Sequence, residues 1–106
     1  MVGGVYQVAM ITTMGKKRGT LTLHADDGVL SGRLFIMGVE NRIESGHVDA
    51  EHCIFSGCMQ TQTGEVRYTI DCNIDGDQLT GVAKTSKGDM RFTGLRQTEQ
   101  TERTNC

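Results

Sequence analysis

Shifted against itself by 49 residues, the chain matches in one unbroken frame: Met10 falls on Met59, Thr12 on Thr61, Gly15 on Gly64, Thr20 on Thr69, Leu30 on Leu79, Gly32 on Gly81 and Arg42 on Arg91. Conservative pairs keep the same frame, with Val5 on Ile54, Tyr6 on Phe55, Leu21 on Ile70, Ser31 on Thr80 and Ile43 on Phe92. A register that carries turn residues onto turn residues and apolar residues onto apolar residues means that each half is one structural unit. Neither unit can bury its apolar face alone, so the two must close on each other.

The units are built of strands. Turn signals recur about every ten to twelve residues, the spacing of a barrel or sandwich. They fall at Gly15 to Gly19, Asp26-Asp27-Gly28, Gly38 to Asn41, Ala50-Glu51-His52, Thr63-Gly64, Asp75-Gly76-Asp77 and Lys87-Gly88. Between them the sequence predicts eight strands, near Val5 to Thr13, Thr20 to Ala25, Val29 to Met37, Arg42 to Val48, Cys53 to Thr61, Glu65 to Ile74, Gln78 to Ser86 and Asp89 to Arg96. Most have one alternating apolar face, as where Val66, Tyr68, Ile70, Cys72 and Ile74 interleave with Arg67, Thr69, Asp71 and Asn73. The expected fold is all-β: a closed or nearly closed antiparallel up-and-down barrel of two four-stranded repeats. Residues 1–96 form its single domain, and the polar stretch 97–106 has no apolar face to bury and reads as a frayed tail.

Gly is frequent (14 of 106) and Pro and Trp are absent, which suits short strands joined by tight turns. The paired glycines Gly32 and Gly81 each follow an inward Leu by two positions, where a barrel strand must bend sharply.

Two segments, Gly28-Val29-Leu30-Ser31-Gly32 and Asp77-Gln78-Leu79-Thr80-Gly81, with the ending Gly88-Asp89-Met90-Arg91-Phe92-Thr93-Gly94-Leu95-Arg96, resemble a loose group of small bacterial β-barrel domains. That group is similar in architecture to calycin-type and avidin-like barrels, and occurs alone or attached to unrelated enzymes. The resemblance implies a fold and no particular ligand. Avidin-type barrels line their biotin site with tryptophans, which this chain lacks, and at the Gly-x-Trp position of lipocalins it carries Gly4-Val5-Tyr6.

Function classes narrow by exclusion. A net charge of −2 provides no broad positive field for nucleic acid or an anionic membrane surface. No apolar run approaches bilayer-spanning length, and the start lacks a signal-peptide pattern, so a cytoplasmic protein with reduced thiols is expected. Among Cys53, Cys58, Cys72 and Cys106 there is no Cys-x-x-Cys pair. His47, His52, Cys53 and Cys58 are the densest set of metal-ligand types, but His52 and Cys53 point to opposite faces of a strand, as do Cys53 and Cys58. No metal is expected. Nor is a cofactor, since no phosphate-cradling loop, nucleophile elbow or dinucleotide fingerprint is present. The acids cluster in turns, where they serve as turn formers, and Lys16, Lys17 and Arg18 read as a solvated tip of the first hairpin.

The barrel interior remains. Tyr6, Met10, Met59, Tyr68 and Phe92, with Thr12 and Thr61 near one end, are the residues able to shape a site for a small apolar ligand, the alternative being a lumen packed solid. The segment Leu34-Phe35-Ile36-Met37 is apolar on both faces, so Phe35 and Met37 are expected to face out and carry a homo-oligomer or partner interface. The reading is a non-catalytic binding or accessory module. The competing reading is a small enzyme performing proton transfer or isomerisation in the lumen with Tyr6, Tyr68 or a loop His.

Overall fold

The computed structural model describes residues 3–61, 64–86 and 88–97. Eight strands follow in chain order: β1 (Gly4–Thr12), β2 (Gly15–Asp26), β3 (Val29–Ile36), β4 (Val39–Asp49), β5 (His52–Thr61), β6 (Gly64–Asp75), β7 (Gln78–Thr85) and β8 (Gly88–Arg96). Each pairs antiparallel with the next, and β8 returns to β1 to close the barrel. Closure runs from Tyr6 opposite Arg96 to Ile11 opposite Arg91, so each of the eight described strands is paired on both sides.

Alternation decides what fills the barrel. Tyr6, Val8 and Met10 of β1, Leu21 and Leu23 of β2, Leu30 and Leu34 of β3, and Phe55 and Met59 of β5 are buried inside. So are Tyr68, Ile70, Cys72 and Ile74 of β6, Leu79 and Ala83 of β7, and Phe92 of β8. Burying each large apolar side chain contributes about 1.5–3 kcal/mol. Two of the pairs matched by the 49-residue offset have similar surroundings. Leu30 and Leu79 are both buried, and a Cβ on Gly32 would meet the Thr22 carbonyl oxygen at 1.8 Å just as one on Gly81 would meet that of Asp71 at 2.2 Å. These two glycines let the neighbouring backbone come this close.

The structure corrects three details of the sequence reading. Gly15 to Gly19 is not a turn: β1 and β2 join tightly through Thr13-Met14, with Thr12 Oγ1 donating to the Gly15 carbonyl at 2.7 Å and accepting from the Met14 amide at 3.1 Å. Lys16, Lys17 and Arg18 therefore lie on β2, opposite Ile11, Met10 and Ala9, rather than at a hairpin tip. Met37 lies outside β3. It forms a two-residue turn with Gly38, both at positive φ (55° and 77°) as a type I′ hairpin requires, and β4 starts at Val39 instead of Arg42. Finally, β4 carries an irregularity between Ile43 and Ser45 that no turn residue announces.

The expected tail falls mostly on residues outside the described set. Gln97, the last one described, still donates its amide to the Val5 carbonyl at 2.7 Å.

Candidate functional site

The lumen residues singled out from the sequence divide between the two ends of the barrel. Met10, Thr12, Met59, Tyr68 and Phe92 lie toward the end where β1 turns into β2, whereas Tyr6 sits at the other end, where the chain enters and leaves the barrel. Thr61 closes β5 opposite Gly64, and its side chain falls outside the described set.

At the first end, Met10 on β1 and Met59 on β5 project inward from strands four places apart in an eight-strand ring, so they face each other across the barrel. Met90 on β8 packs against the same core. Met14 and Met37 occupy turns at this end and are exposed, so every methionine among the described residues is found here. Thr12, Lys17 opposite Met10, and Val66 opposite Met59 are half-buried at this end. Lys17, expected at a solvated tip, pairs with Met10, which turns it to the inner face instead.

Two polar side chains are buried near this mouth. Asn41 on β4 donates through Nδ2 to the carbonyls of Leu34 (3.3 Å) and Val39 (3.5 Å). Alternation alone could have placed it inside, since it shares the phase of Ile43, but a buried Asn carries no sequence signal of its own. Tyr68 on β6 is 4% exposed, and its ring lies across Gly57, the facing residue of β5, where a Cβ would come 2.6 Å from the hydroxyl. That hydroxyl is buried with no hydrogen-bond partner among the described residues. Burial first, then the negative charge of Glu44 and of Cys58, pushes its pKa up to about 12. Tyr68 is thus a neutral donor held inside an apolar wall.

At the opposite end Arg96 fastens the barrel. Its Nη2 donates to the Tyr6 hydroxyl at 2.7 Å, its Nη1 pairs with Asp77 Oδ1 at 3.2 Å, and its guanidinium carbon stands 5.2 Å from the Tyr6 ring centroid. Burial raises the Tyr6 pKa against the lowering effect of Arg96. Tyr6 is a fastening residue here and does not join the group at the mouth. The sequence reading missed Arg96, which looked like the last polar residue of a strand.

Phe35 and Met37 are exposed as expected, at 48% and 47%. His52 faces outward and bonds Asp71 Oδ1 through Nε2 at 2.5 Å, while Cys53 faces inward. Among the described residues, no three His, Cys, Asp or Glu side chains gather as metal ligands would. Two grooves lie on the outer wall and not in the lumen. One of about 540 Å³ crosses β2 to β4 past His24, Arg33, Phe35 and Glu40. The other, of about 600 Å³, crosses β7, β8, β1 and β2 past Gln7, Lys16, Arg18 and Thr93.

No protein-family model matches the chain, and no curated protein does. Solved structures do. A redesigned β-barrel aligns with a TM-score of 0.71 at 15% identity, covering 92% of both chains. A de novo designed fluorescence-activating β-barrel aligns at 0.66 and 20%, covering 90% of this chain and 93% of the other. A redesigned β-barrel bound to DFHBI aligns at 0.63 and 18%, covering 91% and 94%. At such identities the likeness is one of fold: the chain is a small, closed, eight-stranded antiparallel β-barrel, similar over nearly its whole length to barrels built to order.

Proposed function

We propose that the chain is a binding module that takes one small, mostly apolar molecule through the methionine-lined mouth, with the Tyr68 hydroxyl as the polar contact that orients it. The observation that carries this reading is the buried Tyr68 hydroxyl, which lies against Gly57 with no hydrogen-bond partner among the described residues, toward the same end as Met10 and Met59. A buried donor left unmatched costs about 1–3 kcal/mol, which a ligand acceptor would recover. Methionine is unbranched and flexible, so Met10 and Met59 can swing aside and repack around a guest. A structurally similar redesigned barrel is bound to DFHBI, which supports the reading that a barrel of this kind can hold a small guest.

The proton-transfer alternative is less well supported. Tyr6 and Tyr68 lie toward opposite ends, both have raised pKa values, and a general acid or base works best with a pKa near the ambient pH. Kinship with calycin-type or avidin-like barrels, and a cytoplasmic setting in which Cys53, Cys58 and Cys72 rest as free thiols, belong to the same proposal.

Titrating protein labelled at the methionine methyls with DFHBI, and following the methyl NMR signals, tests the mouth. Met10, Met59 and Met90 should shift together, and Tyr68→Phe should weaken binding about five- to tenfold, the loss of one hydrogen bond. Shifts confined to exposed Met14 and Met37, or none at all, would remove the proposal.

A second reading concerns association. Exposed Phe35 on β3 and Met37 in the adjoining turn support a contact with a second copy or another protein. Sedimentation of wild type against Phe35→Glu decides it: the variant should run smaller, and identical profiles would dismiss the interface.

A further inference from the structure

Cys53 on β5 and Cys72 on β6 stand directly opposite each other in the ladder, and both face the interior, at 0% and 1% exposure. Both are free thiols. Facing residues of antiparallel strands hold their Cα atoms about 4.5–5.5 Å apart, within the roughly 4.4–6.8 Å that a disulfide spans. Linking them therefore requires rotation of two side chains and no movement of the strands. Two cysteines chosen only to fill space have no need to be paired in register.

We propose that Cys53 and Cys72 are a peroxide-reactive dithiol that closes to a cross-strand disulfide inside the barrel. The proposal is independent of the mouth and its ligand, which lie toward the other end.

The environment gives the two sulfurs different roles. Cys72 donates a hydrogen bond to the Cys53 sulfur, which holds the Cys53 thiol below its ordinary pKa against the opposing effect of burial, and neighbouring His52 adds to the lowering. Cys72 is pushed well above the ordinary thiol value by that same bond and by burial. Cys53 is thus the nucleophile and Cys72 the resolving thiol. Burial selects an oxidant small enough to enter during brief local openings, and hydrogen peroxide is the size of a few water molecules' worth of space at most. The Cys53 thiolate attacks a peroxide oxygen: an S–O bond forms, the O–O bond breaks, and the departing hydroxide takes up the proton Cys53 released, leaving as water. Cys53 is now a sulfenic acid. The Cys72 sulfur attacks it, the S–S bond forms, the S–O bond breaks, and the hydroxyl leaves with the Cys72 proton as a second water. Two thiols are oxidised and one peroxide is reduced.

Folded wild-type protein treated with hydrogen peroxide, then unfolded in urea with iodoacetamide and digested, should yield a linked peptide pair containing Cys53 and Cys72, with Cys58 alkylated. Cys72→Ala should accumulate a sulfenic acid on Cys53 that dimedone traps, whereas Cys53→Ala should leave Cys72 unmodified. Alkylation of both Cys53 and Cys72 after peroxide treatment, or oxidation of Cys58 ahead of them, would overturn the proposal. The wild-type measurement needs no substitution, so it decides even if a variant fails to fold.

Discussion

Individual residues carry two costs that the fold accepts. Ala50 adopts φ 58° at the β4–β5 turn, in the left-handed region where a Cβ crowds the backbone and Asn fits better. The β2–β3 turn meets the same demand with Asp27-Gly28, at 55° and 81°. Ala50→Asn should therefore stabilise the barrel by about 0.5–1 kcal/mol, read as a raised urea midpoint with an unchanged slope. The second cost is Tyr68. Its folded pKa of about 12 lies above the value of 10.0 for an unburied tyrosine, so between those values the native state holds a proton that the unfolded chain has lost. Stability falls as pH rises across that window, by about 2–3 kcal/mol in all. Denaturation midpoints measured from pH 9 to 12 should show this decline, and Tyr68→Phe should make it shallower. Tyr6, Cys58 and Cys72 are also raised and add to the decline, so part of it should persist in the variant.

At the scale of the strand, glycine sets the curvature. A Cβ on Gly81 would stand 2.2 Å from the Asp71 carbonyl oxygen and 2.5 Å from the Cys72 Cβ, so β7 cannot keep its distance from β6 with any side chain there. Gly81→Ala should cost about 2–3 kcal/mol, by forcing the two strands apart. Calorimetry would show this as a lower melting temperature, and because Cys72 is the displaced neighbour, the same substitution should slow peroxide linking of Cys53 to Cys72. Strand β4 bends by a different device. Its irregularity between Ile43 and Ser45 shifts the pairing with β5, so that Gly46 meets Phe55 and a Cβ at Gly46 would press on Leu30.

For the molecule as a whole, closure is the event on which stability depends, because β1 and β8 are the first and last strands of the barrel and meet only when everything between them is in place. Arg96 secures that seam through Tyr6 and Asp77. Arg96→Ala removes the charge-assisted bond and the ring contact together. It should lower stability by about 1.5–3 kcal/mol and speed hydrogen exchange first at the amides joining β1 to β8.

Strand number and the inward set were legible in the sequence because alternation and turn chemistry are local: Leu30 and Leu79 announce their burial by the residues on either side. Exposed Phe35 was legible for the same reason, since two apolar faces on one strand cannot both point inside. The length of β2 was not, because Thr12 and Gly15 close the hairpin by a hydrogen bond that neither residue type demands. The two ends of the lumen were not either. Alternation places Tyr6 and Tyr68 on the same inner face, but only the closed ring gives one of them Arg96, from the last strand, and leaves the hydroxyl of the other without a partner among the described residues. The sequence by itself determined which face of each strand is buried, because that depends on nearest neighbours. Which buried groups meet was decided by the tertiary structure, because in a barrel the first strand and the last become adjacent only at closure.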